Sequence, residues 1–136
     1  MIGLAGEAYA FGPFALTLPE GWSAEKEDGI HELLPEHGDY ALHLSGYDKD
    51  VPVTQDDLAA VAHEHGCTGT PAELSSGLSA VSFDRAEDGD AFRYWAVGHG
   101  TAMLLVTLTA PEASFAMALM RAELVVRSLR PAEETV

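Results

Sequence analysis

Three consecutive stretches in the second half of the chain have the residue pattern of β-strands, with short turns between them. Residues 78–85 and 91–97 alternate with a period of two, which is typical of half-buried strands. Residues 101–109 (TAMLLVTLT) are apolar on both faces, which predicts a central strand. Because the turns at 87–90 and 98–100 are short, consecutive strands must pair antiparallel. This half of the chain therefore predicts a three-stranded antiparallel meander.

Helical spacing replaces the period of two after the third strand. Thr109-Ala-Pro-Glu112 combines a capping-box pattern with a proline in the first turn, and it predicts the helix start. A broad apolar face follows, made of Phe115, Ala118, Leu119, Ala122, Val125 and Val126. Arginines toward the end suit the helix dipole, and Pro131 predicts the helix end. We expect residues 132–136 to form a frayed tail.

Short strands are also predicted in the first half of the chain. Residues 14–18 and 40–45 alternate between apolar and smaller or polar residues, as half-buried strands do. Residues 22–26 and 30–34 flank Asp28-Gly29, a frequent hairpin pair, so we expect them to pair with each other. The N-terminal half is therefore predicted to be rich in strands.

One helix, marked at both ends, separates the two strand-rich regions. Thr54 lies three residues before Asp57 in a variant of the capping box, and Gly66 suits the left-handed conformation that often ends a helix. Between these two ends, one side of the helix carries Leu58, Val61, Ala62 and His65. The chain is thus predicted to be a single α+β domain over residues 1–136, with an antiparallel sheet covered by two helices.

Short motifs at both ends of the chain resemble the PsbP-like fold. The opening Phe14-Ala-Leu-Thr-Leu-Pro-Glu-Gly-Trp22 is similar to the start of that fold. The closing pattern is similar too, with Arg93-Tyr-Trp95, Gly98-His-Gly100, the strand 104–109 and Arg127-Ser-Leu-Arg130. The fold is shared by a photosystem subunit, a eukaryotic Ran-binding import factor and small bacterial proteins, some of them chaperones for secreted effectors. The resemblance implies a binding or scaffold module, and no functional residue of a family matches position by position.

The composition limits the classes of partner. The chain has 22 acidic and 7 basic residues, a formal charge of −15 with histidine counted neutral. This charge attracts basic surfaces and repels phosphate backbones and anionic membranes, so we expect a basic protein partner and no nucleic acid. No secretory signal or apolar run near the ~20 residues of a membrane span is visible, and the single Cys67 excludes an internal disulfide, so we expect the cytoplasm.

The histidine-rich segment His63-Glu-His65-Gly-Cys67 contains residue types that bind zinc. Residues two apart on a helix point about 200° apart, however, so His63 and His65 cannot share a metal there. We expect an exposed His63, and His65 and Cys67 packed near the helix end. A pairing of Cys67 with His99, which lies between two glycines, is the one nucleophile–base arrangement left open. No other catalytic motif is present, and we expect no cofactor and no metal.

Aromatic and methionine residues are the candidates for a binding surface. Tyr94 and Trp95 lie on opposite faces of one strand, and Met103, Met117 and Met120 could line a groove between sheet and helix. The candidate surface residues are Trp22, Tyr47, Tyr94, Trp95 and His99. The first hypothesis is a non-enzymatic protein-binding or adaptor domain, a chaperone or immunity protein for example, or a homodimer. The alternative is a small-molecule or metal-binding protein, or a hydrolase that uses His99 and Cys67.

Overall fold

The computed structural model describes residues 6–72, 74 and 78–132. Within these ranges the chain forms ten strands: β1 (Gly6–Phe11), β2 (Phe14–Pro19), β3 (Ser23–Glu27), β4 (Ile30–Leu34), β5 (Ala41–Asp48), β6 (Thr70–Ala72), β7 (Ser79–Glu87), β8 (Asp90–His99), β9 (Ala102–Pro111) and β10 (Arg130–Pro131). It also forms the helices α1 (Gln55–Glu64) and α2 (Phe115–Val126), the second preceded by a 3₁₀ turn at Glu112–Ser114. In the described part of the chain, neither helix has the length and apolarity needed to cross a membrane.

Seven strands form one antiparallel sheet in the order β3-β4-β5-β9-β8-β7-β6. The predicted meander β7-β8-β9 occupies the fourth to sixth positions of this order, with β9 as the central strand. In it Val81 lies opposite Ala96, and Trp95 lies opposite Val106. The Asp28-Gly29 turn joins β3 to β4 as predicted. The predicted α+β class is therefore confirmed, and so is the antiparallel sheet with two helices.

A second, three-stranded sheet in the order β1-β2-β10 was not predicted. It packs with α2 on one face of the large sheet, and the main core lies between these two layers. That core contains Phe14, Leu16, Leu42, Trp95, Leu108, Ala122 and Val125, each at most 3% exposed. Helix α1 packs on part of the other face, over β7 and β8.

Two features of the C-terminal region differ from the prediction. The helix does not start at Thr109, because β9 continues to Pro111 and pairs with Asp90, and α2 begins at Phe115 without a side-chain cap. Nor does Pro131 end it: α2 ends at Val126, and Arg130–Pro131 pair with β2. The backbone N–H of Ala132 donates to Pro13 O at 2.8 Å, and residues 133–136 lie outside the described part of the chain.

The second predicted turn is shifted as well. Residues 98–100 were expected to form it, but Gly98 and His99 still pair with Met103 and Ala102, so the turn consists of Gly100 and Thr101. Gly100 has a φ of +61°, which a glycine adopts without steric cost. The strand pair is therefore longer than the sequence indicated.

Both predicted ends of α1 are confirmed. Thr54 Oγ1 accepts a hydrogen bond from the Asp57 N–H at 3.1 Å, and Asp57 Oδ2 accepts one from the Thr54 N–H at 2.8 Å, which completes the capping box. The Thr54 N–H, followed by the ammonium of Lys49, holds the pKa of Asp57 below its ordinary value. His65 is the C-cap residue of α1, and Gly66 follows it with a φ of +75°.

Replacing Thr54 by alanine should lower the free energy of unfolding by about 1 kcal/mol, because the Asp57 N–H loses its acceptor. Urea unfolding followed by circular dichroism measures this change. The matched control is Thr68→Ala, an exposed threonine beyond the other end of α1, which should change stability by less than about 0.5 kcal/mol. Equal effects of the two substitutions would contradict a stabilising cap.

Candidate functional site: an open sheet face

Helix α1 covers only part of its face of the large sheet. Its buried residues Leu58 and Ala62 pack over β7 and β8, in clusters with Ala96 and Tyr94. A helix is about 10 Å wide and strands are about 4.8 Å apart, so one helix covers about two strands. On the neighbouring strands β9 and β5, residues that point to this side are half-exposed, while the residues between them are buried. We call the surface of β3, β4, β5 and β9 on this side the open face.

The strand register places three kinds of residue across the open face. Its apolar end, beside α1, carries Tyr47, Met103 and Leu105. Its middle is polar and carries His43, Ser45 and Thr107. Its acidic end carries Glu25, Glu27 and Glu32, which surround Ile30, an apolar residue that is 43% exposed. The face therefore changes from apolar to acidic across four adjacent strands.

A cavity of ≈ 250 Å³ lies at the apolar end, between α1 and β9. Val61 of α1 and His65, the residue after that helix, line one side, and Tyr47, Met103 and Leu105 line the other. Tyr47 is 52% exposed, so about half of this large side chain is open to solvent. The cavity is a suitable size for an apolar side chain, and Tyr47 stands at its rim.

Carboxylates dominate the acidic end. Glu25 and Glu27 are exposed on β3, which is an edge strand of the sheet, and Glu32 Oε2 lies 3.2 Å from His43 Nε2. Together with Asp28 and Lys26 they surround a shallow depression of ≈ 540 Å³. Charged side chains on an edge strand also discourage pairing with other chains.

Of the five predicted surface residues, only Tyr47 lies on the open face. Tyr94 and Trp95 are 7% and 3% exposed, so the prediction that they form a surface is wrong. Both are buried because α1 covers one side of β8 while α2 and the small sheet cover the other. Trp22 is half-buried with its ring edge-on to Tyr40 at 5.9 Å, and His99 is half-buried at the end of β8.

The pairing of Cys67 with His99 is also wrong. Cys67 Sγ lies 3.5 Å from the backbone oxygen of Asp84, which is opposite Arg93 in the sheet. His99 lies six residues further along the same strand, which places it about 20 Å away. The two side chains are too far apart for a nucleophile and its base.

The histidines of α1 are placed as the spacing indicated. His63 is exposed, and His65 Nδ1 lies 2.9 Å from Val61 O, with its ring against Tyr94 and Phe83 at 4.9 and 5.3 Å. Within residues 6–72, 74 and 78–132, no group of three or more histidine, cysteine or acidic residues is arranged to hold a metal ion.

A further cavity, of ≈ 330 Å³, lies on the opposite side of the sheet, under the β1–β2 turn. Phe11, Phe14 and His31 line it, and Tyr47 reaches its rim. Tyr9 Oη is 2.6 Å from His31 Nδ1. Burial, with a smaller contribution from Lys26, lowers the pKa of His31, and burial raises the pKa of Tyr9. This hydrogen bond between two neutral groups joins the small sheet to the large one.

No protein-family model matches the sequence, and no curated protein matches it either. Solved structures do match. A protein from Bacteroides thetaiotaomicron superposes with a TM-score of 0.74 at 16% identity, over 96% of this chain and 50% of that one. The Ran-binding protein Mog1p of Saccharomyces cerevisiae superposes with a TM-score of 0.59 at 8% identity, over 95% of this chain and 96% of Mog1p. This chain has the fold of Mog1p.

The resemblance to the PsbP-like fold, which the Ran-binding import factor shares, is therefore confirmed at the level of the fold. Identities this low show the architecture alone. The chain spans only half the length of the Bacteroides protein.

Proposed function

We propose that this chain is a non-enzymatic protein-binding module that takes up a basic segment of a partner on the open face. One observation carries the proposal: within the described residues, β3, β4 and β5 have no helix over them on this side and α1 reaches only part of β9. The surface of these strands is apolar at one end and acidic at the other. A sheet surface with exposed apolar side chains marks a site of interaction.

The width of the open face limits the partner segment. From β9 to β3 there are three strand spacings, about 14 Å, which an extended segment of about five residues spans. An apolar side chain of the segment would enter the cavity beside Tyr47, and a lysine or arginine four or five residues away would meet Glu25, Glu27 and Glu32. The charge of −15 would draw such a segment from a distance and speed its association.

The shared fold supports the proposal. Mog1p is described as Ran-binding, so a protein of this fold binds a protein partner. For this chain we propose a protein partner in the cytoplasm. If its gene lies beside that of a secreted effector or a toxin, we propose that the chain acts as a chaperone for the effector or as an immunity protein against the toxin.

Site-specific photo-crosslinking in a lysate of the native host tests the proposal. A crosslinker at Ser45, in the middle of the open face, should capture one protein repeatedly, and a crosslinker at Thr68 should not. The triple variant Glu25→Gln, Glu27→Gln, Glu32→Gln should reduce this capture about tenfold at low salt and less at high salt, because exposed charges are screened.

The matched control removes the same charge elsewhere. Glu7, Glu20 and Glu36 are exposed and lie outside the open face, so their replacement by glutamine should leave capture unchanged. If both triple variants reduce capture equally, the partner responds to net charge and not to this face, and the proposed site is wrong.

A further inference from the structure

Helix α2 has a second apolar side that points away from the core. Met117, Met120 and Leu124 are 60%, 61% and 65% exposed. They occupy positions i, i+3 and i+7, which lie on one side of a helix, and we call them the α2 stripe. The residues that α2 buries against β2 and β9 are Ala118, Ala122, Val125 and Val126.

A helix that is apolar on both sides is normally buried on both sides. Isolated exposed apolar residues are common, but three adjacent ones on a helix form a continuous patch of the kind that marks an interface. Methionine is enriched at interfaces because its flexible thioether adapts to the opposing surface. The α2 stripe therefore fits a protein contact.

The charge around α2 differs from that of the rest of the molecule. Residues 113–132 contain three arginines and one acidic residue, Glu123, which gives a formal charge of +2. Since the whole chain has a charge of −15, all other residues together carry −17. Two copies of so acidic a protein repel each other through most of their surface. The segment 113–132, which contains α2, therefore does not share the negative charge that opposes association.

We propose that a second copy of this chain packs against the α2 stripe, with the two α2 helices antiparallel across a two-fold axis near Met120. A two-fold contact needs a surface that complements itself. In this arrangement Met117 of one copy lies opposite Leu124 of the other. Arg127 then lies level with residues 112–114 of the second copy, within reach of the exposed Glu112.

The opposite charges of Arg127 and Glu112 favour this antiparallel arrangement over a parallel one. Arg127 already contacts Glu123 of its own helix at 3.8 Å and is largely exposed, with 69% of its side chain accessible. Two symmetric contacts between Arg127 and Glu112 would flank the methionine and leucine side chains, as charged rims flank apolar interface centres. Three apolar side chains per copy are fewer than an obligate interface contains, so the dimer would dissociate reversibly.

The α2 stripe is independent of the open face. None of its three residues lines the cavity beside Tyr47 or the acidic depression, and α2 packs on the opposite side of the large sheet. Dimerisation and partner binding can therefore fail separately.

Sedimentation velocity of the whole chain over a wide concentration range tests the dimer. The unaltered chain should dimerise, and Met120→Glu and Leu124→Glu should each raise the dissociation constant at least tenfold, about the effect expected for a side chain at an interface centre. Val51→Glu changes a residue that is 52% exposed away from α2, and it should have no effect. A chain that is monomeric at every concentration overturns the proposal, as does a dimer that both α2 variants leave intact.

A charge exchange tests the orientation of the helices. Arg127→Glu and Glu112→Arg should each weaken the dimer, and the two together should restore it, because the pair then forms with its charges reversed. Circular dichroism checks that each variant folds. A double variant that binds no better than either single one overturns the antiparallel arrangement.

Discussion

Replacing Phe14 by alanine should lower the free energy of unfolding by about 3–5 kcal/mol, the largest single effect that we expect in this chain. Phe14 is 2% exposed and stacks on Phe11 with ring centroids 6.2 Å apart. It pairs with Phe11 on β1 and with Pro131 on β10, so its ring lies where the small sheet packs on the core. Alanine would leave a cavity that three strands cannot close.

Urea unfolding at constant pH measures this loss. Tyr47→Ala is the matched control, because it removes an aromatic ring that is 52% exposed and on the open face, and it should cost less than about 1 kcal/mol. A loss below about 1 kcal/mol for Phe14→Ala would mean that the small sheet contributes little to the stability of the core.

Replacing Gly69 by alanine should destabilise the chain by about 1–3 kcal/mol, since the added methyl group overpacks a closed region. A Cβ at Gly69 would overlap Val81 Cγ1 and lie 3.3 Å from Ala62 Cβ. Val81 is 2% exposed and Ala62 is fully buried, so neither can move aside without displacing β7 or α1. Gly46→Ala is the control, because a Cβ there meets only Met103 O at 3.9 Å.

The overlap with Val81 also predicts non-additivity. In a double-mutant cycle, Val81→Ala makes room for the added methyl group, so Gly69→Ala should cost less in that background than in the unaltered chain. Thermal or urea unfolding of the four proteins gives the coupling. Strict additivity would show that backbone strain, and not contact with Val81, makes the substitution unfavourable.

Elements specified by residues close together in the chain were predicted well. The capping box of Thr54 and Asp57, the Asp28-Gly29 turn and the alternation along β8 each depend on contacts within a few residues, so the local pattern is sufficient. The start of α2 was predicted wrongly from the same kind of pattern. Continued pairing of β9 with β8 as far as Pro111 prevents Thr109 from acting as a cap.

Elements that depend on partners far along the chain were missed. Strand β10 exists because Arg130 and Pro131 pair with Ala15 and Phe14, more than a hundred residues earlier. Dependence on distant parts of the chain also explains why the binding surface was predicted wrongly. Met117 and Met120 were predicted to line a groove between sheet and helix, but helical spacing cannot tell which side of an apolar helix meets the sheet.

The amino-acid sequence by itself determined the two helices, seven of the ten strands, the antiparallel meander and the acidic net charge, but not β1, β6 or β10. Periodicity, capping residues and charge are properties of neighbouring residues or of composition. Only the tertiary structure decided which faces are covered, because α1 is wide enough for about two strands of a seven-stranded sheet. That mismatch of widths buries Tyr94 and exposes Tyr47 although both are tyrosines on strands, and it creates the open face.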